Sequence, residues 1–364
     1  MYIITNRELK KGKGLGAIGK KPSPEGPNEL RLLNVSKSGK TWRVTQVADK
    51  LNPATVKNLK HKYTLDIDPD KEWNGSLRVA CELFERARTE NKAILLFVHG
   101  YNNDVEDVLK AAQEVEELYN VICIPFTWPA NGGGSVSGTL SYKSDKADAR
   151  TSAGALNRVV GKIQSFHQLL TAARKQQLRE RADKKFRDNH IEANAYFSKL
   201  VDKDCPVTIN LLCHSMGNYV FKHTLKTSDN MTSKLVFDNI CLVAADANNA
   251  KHVEWVGQLD VRKRVYVVIN ENDFALKFSR KKPGDEQLAR LGHYTRQLNS
   301  PNAHYIDITD VKHVGNEHTY FKGDAVRKNP ALKDLFDGMF NGRAIEKDMQ
   351  YRADNNSYVF RPEG

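Results

Sequence analysis

The chain has 364 residues, 40% of them hydrophobic and 27% charged, a balance typical of a soluble globular protein. No stretch approaches the roughly 20 apolar residues of a membrane helix, and the first residues lack the pattern of a signal peptide. The five cysteines are widely spaced and show no metal-ligand spacing, which indicates reduced thiols, a cytoplasmic location and no metal site. The net charge of +12 could attract nucleic acid or anionic lipid, but no nucleic-acid motif is present, and a solvated basic surface is favoured.

The first 75 residues are predicted to be rich in β-structure that extends a larger sheet. Strands are expected at residues 2–5, 30–35 and 42–47, with a hairpin turn at 36–40. Residues 11–19 contain a formal G-x-G-x-x-G, but Pro22 and Pro24 follow, and proline forbids the regular helix that a dinucleotide site requires. We expect a flexible basic loop there.

From residue 76 onward the pattern predicts alternating helices and strands. Asn103, with Glu106 three residues later, is a candidate N-cap, and an apolar stripe of helical spacing follows it. Near-continuous apolar runs predict strands at 93–98, 121–128, 207–212, 238–245, 264–269 and 304–309. Runs that are apolar on both faces and separated by helices indicate a buried, mostly parallel, doubly wound α/β sheet.

Three segments are therefore predicted: a β-rich extension over 1–75, a core over 76–325, and a C-terminal helix with a loose tail over 326–364. The core holds an unusually long helical insertion at about 130–205, which opens with a flexible Gly132–Gly134 loop and continues as a helix at 152–170. Seven cations follow that helix: Arg174, Lys175, Arg179, Arg181, Lys184, Lys185 and Arg187. The insertion is either a solvated helical hairpin or a lid that contacts an anionic surface.

The strongest chemical signal is Cys213-His214-Ser215-Met216-Gly217, which follows a buried strand and precedes a helix-compatible run. This pattern is typical of a nucleophile elbow, where a strained turn exposes the serine hydroxyl. Small residues are required two positions before and after the serine. Gly217 meets that requirement, whereas Cys213 stands where glycine is usual.

Backbone donors for an oxyanion hole are expected at two places. The N–H of Met216 lies at the start of the helix behind the serine, where the helix dipole favours negative charge. The second N–H is assigned to Tyr101, in the turn after an earlier strand, where Gly100 permits close approach. His99 and His214 are interpreted as supporting residues.

The acid and base candidates follow the nucleophile in the order Ser–Asp–His. Asp273, at the end of the strand at 264–269, is favoured as the acid over Asp246. His318 is favoured as the base over His313, and both follow the last strand.

Several blocks of this sequence resemble a bacterial α/β-hydrolase family known as domain of unknown function 900. The blocks are Tyr2-Ile3-Ile4-Thr5-Asn6-Arg7, Val98-His99-Gly100-Tyr101-Asn102-Asn103, Phe126-Thr127-Trp128-Pro129, His214-Ser215-Met216-Gly217-Asn218, Ala244-Ala245-Asp246, Asn272-Asp273-Phe274-Ala275-Leu276 and Asn316-Glu317-His318. The resemblance implies a triad of Ser215, Asp273 and His318 and no cofactor, but no defined substrate.

These features predict an esterase-like or lipase-like serine hydrolase that cleaves a carboxylic ester or lipid-like acyl compound through an acyl-enzyme on Ser215. Two alternatives remain. One is a non-catalytic scaffold that binds a partner or an anionic surface through its basic insertion. The other is an acyltransferase that uses an acceptor other than water.

Overall fold

The computed structural model describes residues 1–39, 41–130, 138–204, 206–227, 235–280 and 288–361. The turn expected around Gly39 lies partly, and the Gly132–Gly134 loop wholly, outside these ranges. Within them, no helix is long and apolar enough to cross a membrane. The chain divides into two compact units. A sheet unit comprises residues 1–46, 93–159 and 208–364, and a helical unit comprises residues 47–92 and 160–207.

The described part of the sheet unit holds thirteen strands in chain order. They are β1 (Tyr2–Thr5), β2 (Arg7–Leu9), β3 (Ile18–Pro22), β4 (Arg31–Ser38), β5 (Thr41–Gln46), β6 (Ile94–Val98), β7 (Ile122–Thr127), β8 (Ile209–His214), β9 (Asn239–Val243), β10 (Arg264–Ile269), β11 (Ala303–Asp307), β12 (Gln350–Arg352) and β13 (Ser357–Val359). Eleven of them form one sheet in the order β12-β13-β11-β10-β9-β8-β6-β7-β1-β4-β5, and β2 pairs with β3 separately.

Eight neighbouring strands of this sheet, from β13 to β1, run parallel. The central strands β6, β8 and β9 are buried along their whole length, as is typical of parallel sheets. Antiparallel strands close both ends, with β4 and β5 at one end and β12 at the other. The α/β fold with a mostly parallel sheet is therefore confirmed.

The helices of the described chain follow in order. They are α1 (Pro53–Tyr63), α2 (Gly75–Thr89), α3 (Val105–Tyr119), α4 (Gly138–Thr151), α5 (Ala153–Lys185), α6 (His190–Lys203), α7 (Gly217–Lys226), α8 (Val253–Val256), α9 (Phe274–Ser279), α10 (Asp324–Arg327) and α11 (Pro330–Phe340). In the sheet unit, α3 and α11 pack on one face, where the apolar stripe of α3 meets the aromatic residues of α11.

Some predicted boundaries were wrong. The N-cap of α3 is Asp104, not Asn103, and it forms a reciprocal capping box with Asp107. The loop expected at 11–19 runs through a 3₁₀ turn at Leu15–Ala17 into β3, which pairs with β2. The tail expected to be loose instead supplies β12 and β13, because the open edge of β11 accepts a parallel strand.

The direction in which the chain crosses the sheet reverses at β6. From β6 the chain crosses through α3 to β7 on one side, whereas β8, β9, β10 and β11 follow each other on the other side. In open parallel sheets, ligands bind outside the carboxyl ends of the strands at such a switch point. A ligand site is therefore expected at the loops after β6 and β8.

Candidate active site

Ser215 lies in a strained turn between β8 and α7. Its φ is +53°, in the left-handed region that residues with a Cβ rarely occupy. The turn is held from several sides: the Ser215 N–H donates to Val243 O at 3.1 Å, and Ser215 O accepts from the Asp246 N–H at 3.2 Å. The buried side chain of Asn218 also donates to Ser215 O and Cys213 O, each at 3.0 Å. Surrounding contacts thus maintain the strain.

The backbone around the elbow is too close for larger residues. A Cβ added at Gly217 would lie 2.3 Å from Val98 O, so only glycine fits where α7 crosses the end of β6. A Cβ at Gly100 would lie 2.7 Å from the Ser215 Cβ and 3.2 Å from its Oγ. The turn after β6 therefore abuts the serine directly.

The two candidate oxyanion donors flank this contact. Met216 precedes the first residue of α7, and within the described chain its N–H donates to no other group. Tyr101 follows Gly100 in the turn that abuts the serine, and its side chain is partly buried.

His318 and Asp273 form a close pair. The His318 Nδ1 lies 2.7 Å from the Asp273 Oδ2, and the other carboxylate oxygen accepts the Leu276 N–H at 3.0 Å. Asp273 follows β10, is fully buried and caps α9, so its carboxylate has little freedom to turn. The carboxylate fixes the proton of a neutral His318 on Nδ1 and leaves Nε2 as the basic nitrogen.

The loop that carries His318 is tied to the ends of two strands. The His214 Nε2 donates to His318 O at 3.1 Å, and the centres of the two imidazole rings are 4.7 Å apart. Burial, and then the nearby His318, hold the pKa of His214 well below its usual value, so His214 stays neutral and keeps this donor. At the end of β10, the Asn270 side chain donates to Glu317 O and Gly315 O.

Ser215 Oγ makes no hydrogen bond to His318 or to any other group among the described residues. Ser215 is nearly buried, and the residue before it, His214, bonds the loop that carries His318. Catalytic hydrogen bonds in unliganded enzymes are often long and tighten only in the substrate complex. The structure thus places His318 against Asp273 and against His214, the residue before the serine. It shows no hydrogen bond between Ser215 and His318.

A comparison with known families agrees with this geometry. A family model described as an α/β-hydrolase of unknown function, DUF900, matches residues 80–171 and 175–335, more than half of the chain. The chain belongs to the DUF900 family. No solved structure matches the chain. Because the family has no assigned function, membership in DUF900 supports a hydrolase fold but names no reaction.

In this DUF900 protein, the two alternative triad candidates have other surroundings. Asp246 is buried in an ion pair with Arg290 at 3.0 Å and accepts the Ser279 hydroxyl at 2.6 Å. His313 is exposed, with φ +71°, and within the described residues it contacts no carboxylate by a hydrogen bond. Neither one joins the His318–Asp273 pair.

His99 uses both ring nitrogens in the frame of the site. Its Nδ1 donates to Gly100 O at 2.9 Å, and its Nε2 accepts the Trp128 N–H at 3.2 Å. Its ring also stacks on the Trp128 indole, with ring centres 5.2 Å apart. Burial lowers the pKa of His99 to about 3, so the ring is neutral and has no nitrogen free to act as a base.

Sequence reasoning missed a buried cation behind the oxyanion turn. Arg7, which is 1% exposed, donates to Thr127 Oγ1 at 3.1 Å, Ala130 O at 3.4 Å and Asn103 O at 3.2 Å. Burial, opposed by nearby Asp104 and other carboxylates, lowers its pKa to about 10, which still leaves it charged at neutral pH. Arg7 thus joins the turn after β6 to the chain after β7. The hydrophobic pattern of the sequence gives no sign that an arginine at the end of a strand is buried.

Proposed function

We propose that this protein is a serine hydrolase that cleaves a carboxylic ester through an acyl-enzyme on Ser215. The observation that carries the proposal is the hydrogen-bonded pair of buried Asp273 and partly exposed His318, whose ring packs on His214, the residue before the serine in the strained turn. The combination of a strained serine, a base and a carboxylate that orients the base is the recurring arrangement of serine hydrolases on unrelated folds.

In the first half of the reaction, His318 Nε2 takes the proton of the Ser215 hydroxyl as its oxygen attacks the carbonyl carbon. The imidazolium that forms is stabilised by the Asp273 carboxylate, which itself stays ionised. The tetrahedral intermediate then collapses, and His318 gives the proton to the leaving alkoxide. In the second half, His318 deprotonates water, whose oxygen attacks the acyl-enzyme. The second tetrahedral intermediate collapses, the carboxylic acid leaves, and His318 returns the proton to Ser215 Oγ.

The negative charge of the intermediate falls on the former carbonyl oxygen. The N–H groups of Met216 and Tyr101 would donate to it, and the N-terminus of α7 adds a favourable dipole. Gly100 supports this assignment, because its lack of a side chain lets the Tyr101 turn approach the serine.

An apolar acyl group is the substrate class that the surroundings favour. Phe274 and Phe278, on α9 directly after Asp273, are 55% and 48% exposed, and their ring centres lie 4.5 Å apart. Exposed aromatic pairs beside a site are suited to contact a hydrocarbon chain. Replacing both with serine should raise KM for long-chain p-nitrophenyl esters several-fold and leave the acetate ester unchanged.

A fluorophosphonate probe tests the nucleophile. The wild-type protein should be labelled and Ser215→Ala should not, whereas Ser144→Ala, an exposed serine on α4, should be labelled like the wild type. Equal labelling of wild type and Ser215→Ala would reject the assignment.

Turnover of p-nitrophenyl esters with and without added alcohols separates a hydrolase from an acyltransferase. A hydrolase releases mainly free acid, whereas an acyltransferase transfers most of the acyl group to the alcohol. An absence of both labelling and turnover would instead favour the non-catalytic scaffold, in which the basic insertion binds a partner or an anionic surface.

A further inference from the structure

The helical unit contains a cavity of about 540 Å³ that the proposed reaction does not use. It lies among residues of α1, α2, α5 and α6 and the segment before β8. Its volume falls within the roughly 300–1,000 Å³ typical of small-molecule sites. Much of its wall is apolar, formed by Phe84, Leu170, Leu178, Val201, Pro206 and Val207.

One side of the cavity carries two guanidinium groups on a single carboxylate. Arg88 donates to both oxygens of Asp204, at 2.5 and 3.2 Å, and Arg174 donates to Oδ1 through Nε and Nη2 at 3.0 and 2.8 Å. Burial alone would raise the pKa of Asp204, but the hydrogen bonds from both arginines outweigh it and lower that pKa. The carboxylate is therefore ionised at neutral pH, and the cluster keeps one excess positive charge.

A further cation lines the same cavity. Lys175 is exposed and, within the described residues, makes no ion pair or hydrogen bond. By contrast, the ammonium of Lys62 is paired with Glu85 at 2.8 Å, so that part of the lining is neutral. The cavity thus combines an apolar wall with excess positive charge beside Asp204.

We propose that this cavity binds an amphipathic carboxylate, with its alkyl chain against the apolar wall and its head group against Arg88, Arg174 and Lys175. A guanidinium has five N–H donors, so each arginine can hold Asp204 and still donate to a second carboxylate. A neutral amphiphile would leave the excess positive charge without a counter-charge. A small polar anion would pair with that charge but would leave the apolar wall without an apolar contact. The site does not depend on the chemistry at Ser215.

Decanoate is the probe, measured by calorimetric titration below its micellar concentration. Decanoate should bind, and decyltrimethylammonium, with the same chain and the opposite charge, should not. Arg174→Gln leaves Arg88 to pair with Asp204 and should weaken decanoate binding about tenfold, since a charge-assisted hydrogen bond is lost. Thr171→Trp adds bulk to the cavity from an exposed position on α5 and should abolish binding.

Two controls separate this cavity from the candidate active site, which could also bind a carboxylic acid. Gln176→Trp places the same bulk at an exposed position of α5 that does not line the cavity, and it should bind like the wild type. Ser215→Ala should also retain the binding that Thr171→Trp removes. The proposal is overturned if the wild type does not bind decanoate, or if Thr171→Trp and Arg174→Gln bind it as the wild type does.

Discussion

The two edges of the parallel sheet use polar residues in opposite ways. At the carboxyl edge, Ser215 is strained and its hydroxyl makes no hydrogen bond within the described chain, while His318 keeps a basic nitrogen. At the amino edge, polar side chains fasten strands to the C-terminal end of α11: Asn210 donates to Phe340 O at 2.6 Å, and Asn239 donates to Met339 O at 3.0 Å.

The partners of the acidic side chains also differ between the two edges. Asp238 and Glu346 at the amino edge are ion-paired with Arg262 and Arg264, at 2.7 and 2.6 Å. At the carboxyl edge, the carboxylate of Asp273 forms no ion pair with a guanidinium among the described residues and is instead hydrogen-bonded to the imidazole of His318 at 2.7 Å. We therefore expect substitutions at the amino edge to lower stability and leave kcat unchanged, and substitutions of the candidate site residues at the carboxyl edge to lower kcat. The buried Asp246–Arg290 pair lies at the carboxyl edge but is expected to contribute to stability.

The largest expected effect comes from replacing each of the two candidate acids with asparagine in separate variants. Asp273→Asn keeps the helix cap but favours the wrong tautomer of His318, and kcat for an ester should fall about 10⁴-fold, the loss that this change causes in a characterised Ser-His-Asp enzyme. Asp246→Asn weakens a buried ion pair and should cost about 3–5 kcal/mol in unfolding free energy while kcat of the folded protein changes little. Ester kinetics and urea unfolding measure the two effects, and the reverse outcome would make Asp246 the acid.

A smaller effect is expected from Arg7, which donates to Asn103 O in the turn after β6 that carries the proposed oxyanion donor Tyr101. Arg7→Met should lower kcat roughly tenfold to a hundredfold with little change in KM, because a displaced donor weakens binding of the transition state and not of the substrate. Arg7→Lys should restore part of the activity. The matched variant Arg264→Met, at the amino edge, should lose stability and keep kcat, so equal kcat losses in both variants would contradict this role.

The amino edge should respond to acid. Burial alone would raise the pKa of Glu346, but hydrogen bonds from Arg264 and Tyr266 outweigh it and lower the pKa to about 2. A lowered pKa means that the folded state holds fewer protons, so the contribution of Glu346 is present above about pH 4.5 and is lost as pH falls toward 2. Glu346→Gln should cost about 1–3 kcal/mol at neutral pH, and the difference from wild type should shrink below about pH 4.5 and vanish only as pH falls below the folded pKa of about 2. Urea unfolding across pH checks this.

The smallest effect is expected at Cys213, which stands where glycine is usual in the elbow. Cys213→Gly removes a buried thiol and adds backbone freedom in β8, so it should cost about 1–2 kcal/mol in unfolding free energy and leave kcat unchanged. A large loss of kcat would show that the thiol positions Ser215. Thermal unfolding and ester kinetics on the same sample distinguish the outcomes.

The sequence predicted the central sheet well because burial on both faces leaves a strong apolar pattern. Every residue of β6, β8 and β9 is buried, and each strand was expected within a few residues of its bounds. The elbow could be predicted because the whole turn lies in one short segment, residues 213–217, between a buried strand and a helix. The pairing of His318 with Asp273 was a prediction from chain order, and their 2.7 Å contact supports it.

Features that depend on distant partners could not be predicted. Strands β12 and β13 have three residues each and a polar sequence, so only the open edge of β11 defines them. The end of the helix predicted at 152–170 was also misplaced, since α5 continues through Lys185 in polar sequence. Arg7 looks like any charged residue after a strand, and its three acceptors lie 96 to 123 residues away.

The buried cysteines of the central strands can report, through their rates of alkylation, how often each strand opens. Cys123, Cys213 and Cys241 lie on β7, β8 and β9, and burial raises the pKa of each thiol, so alkylating reagents cannot reach reactive thiolates while the sheet is intact. The rate at which each thiol becomes alkylated therefore reports how often its own strand opens. Mass spectrometry of pulse-alkylated peptides would give an opening rate for three neighbouring strands in one experiment.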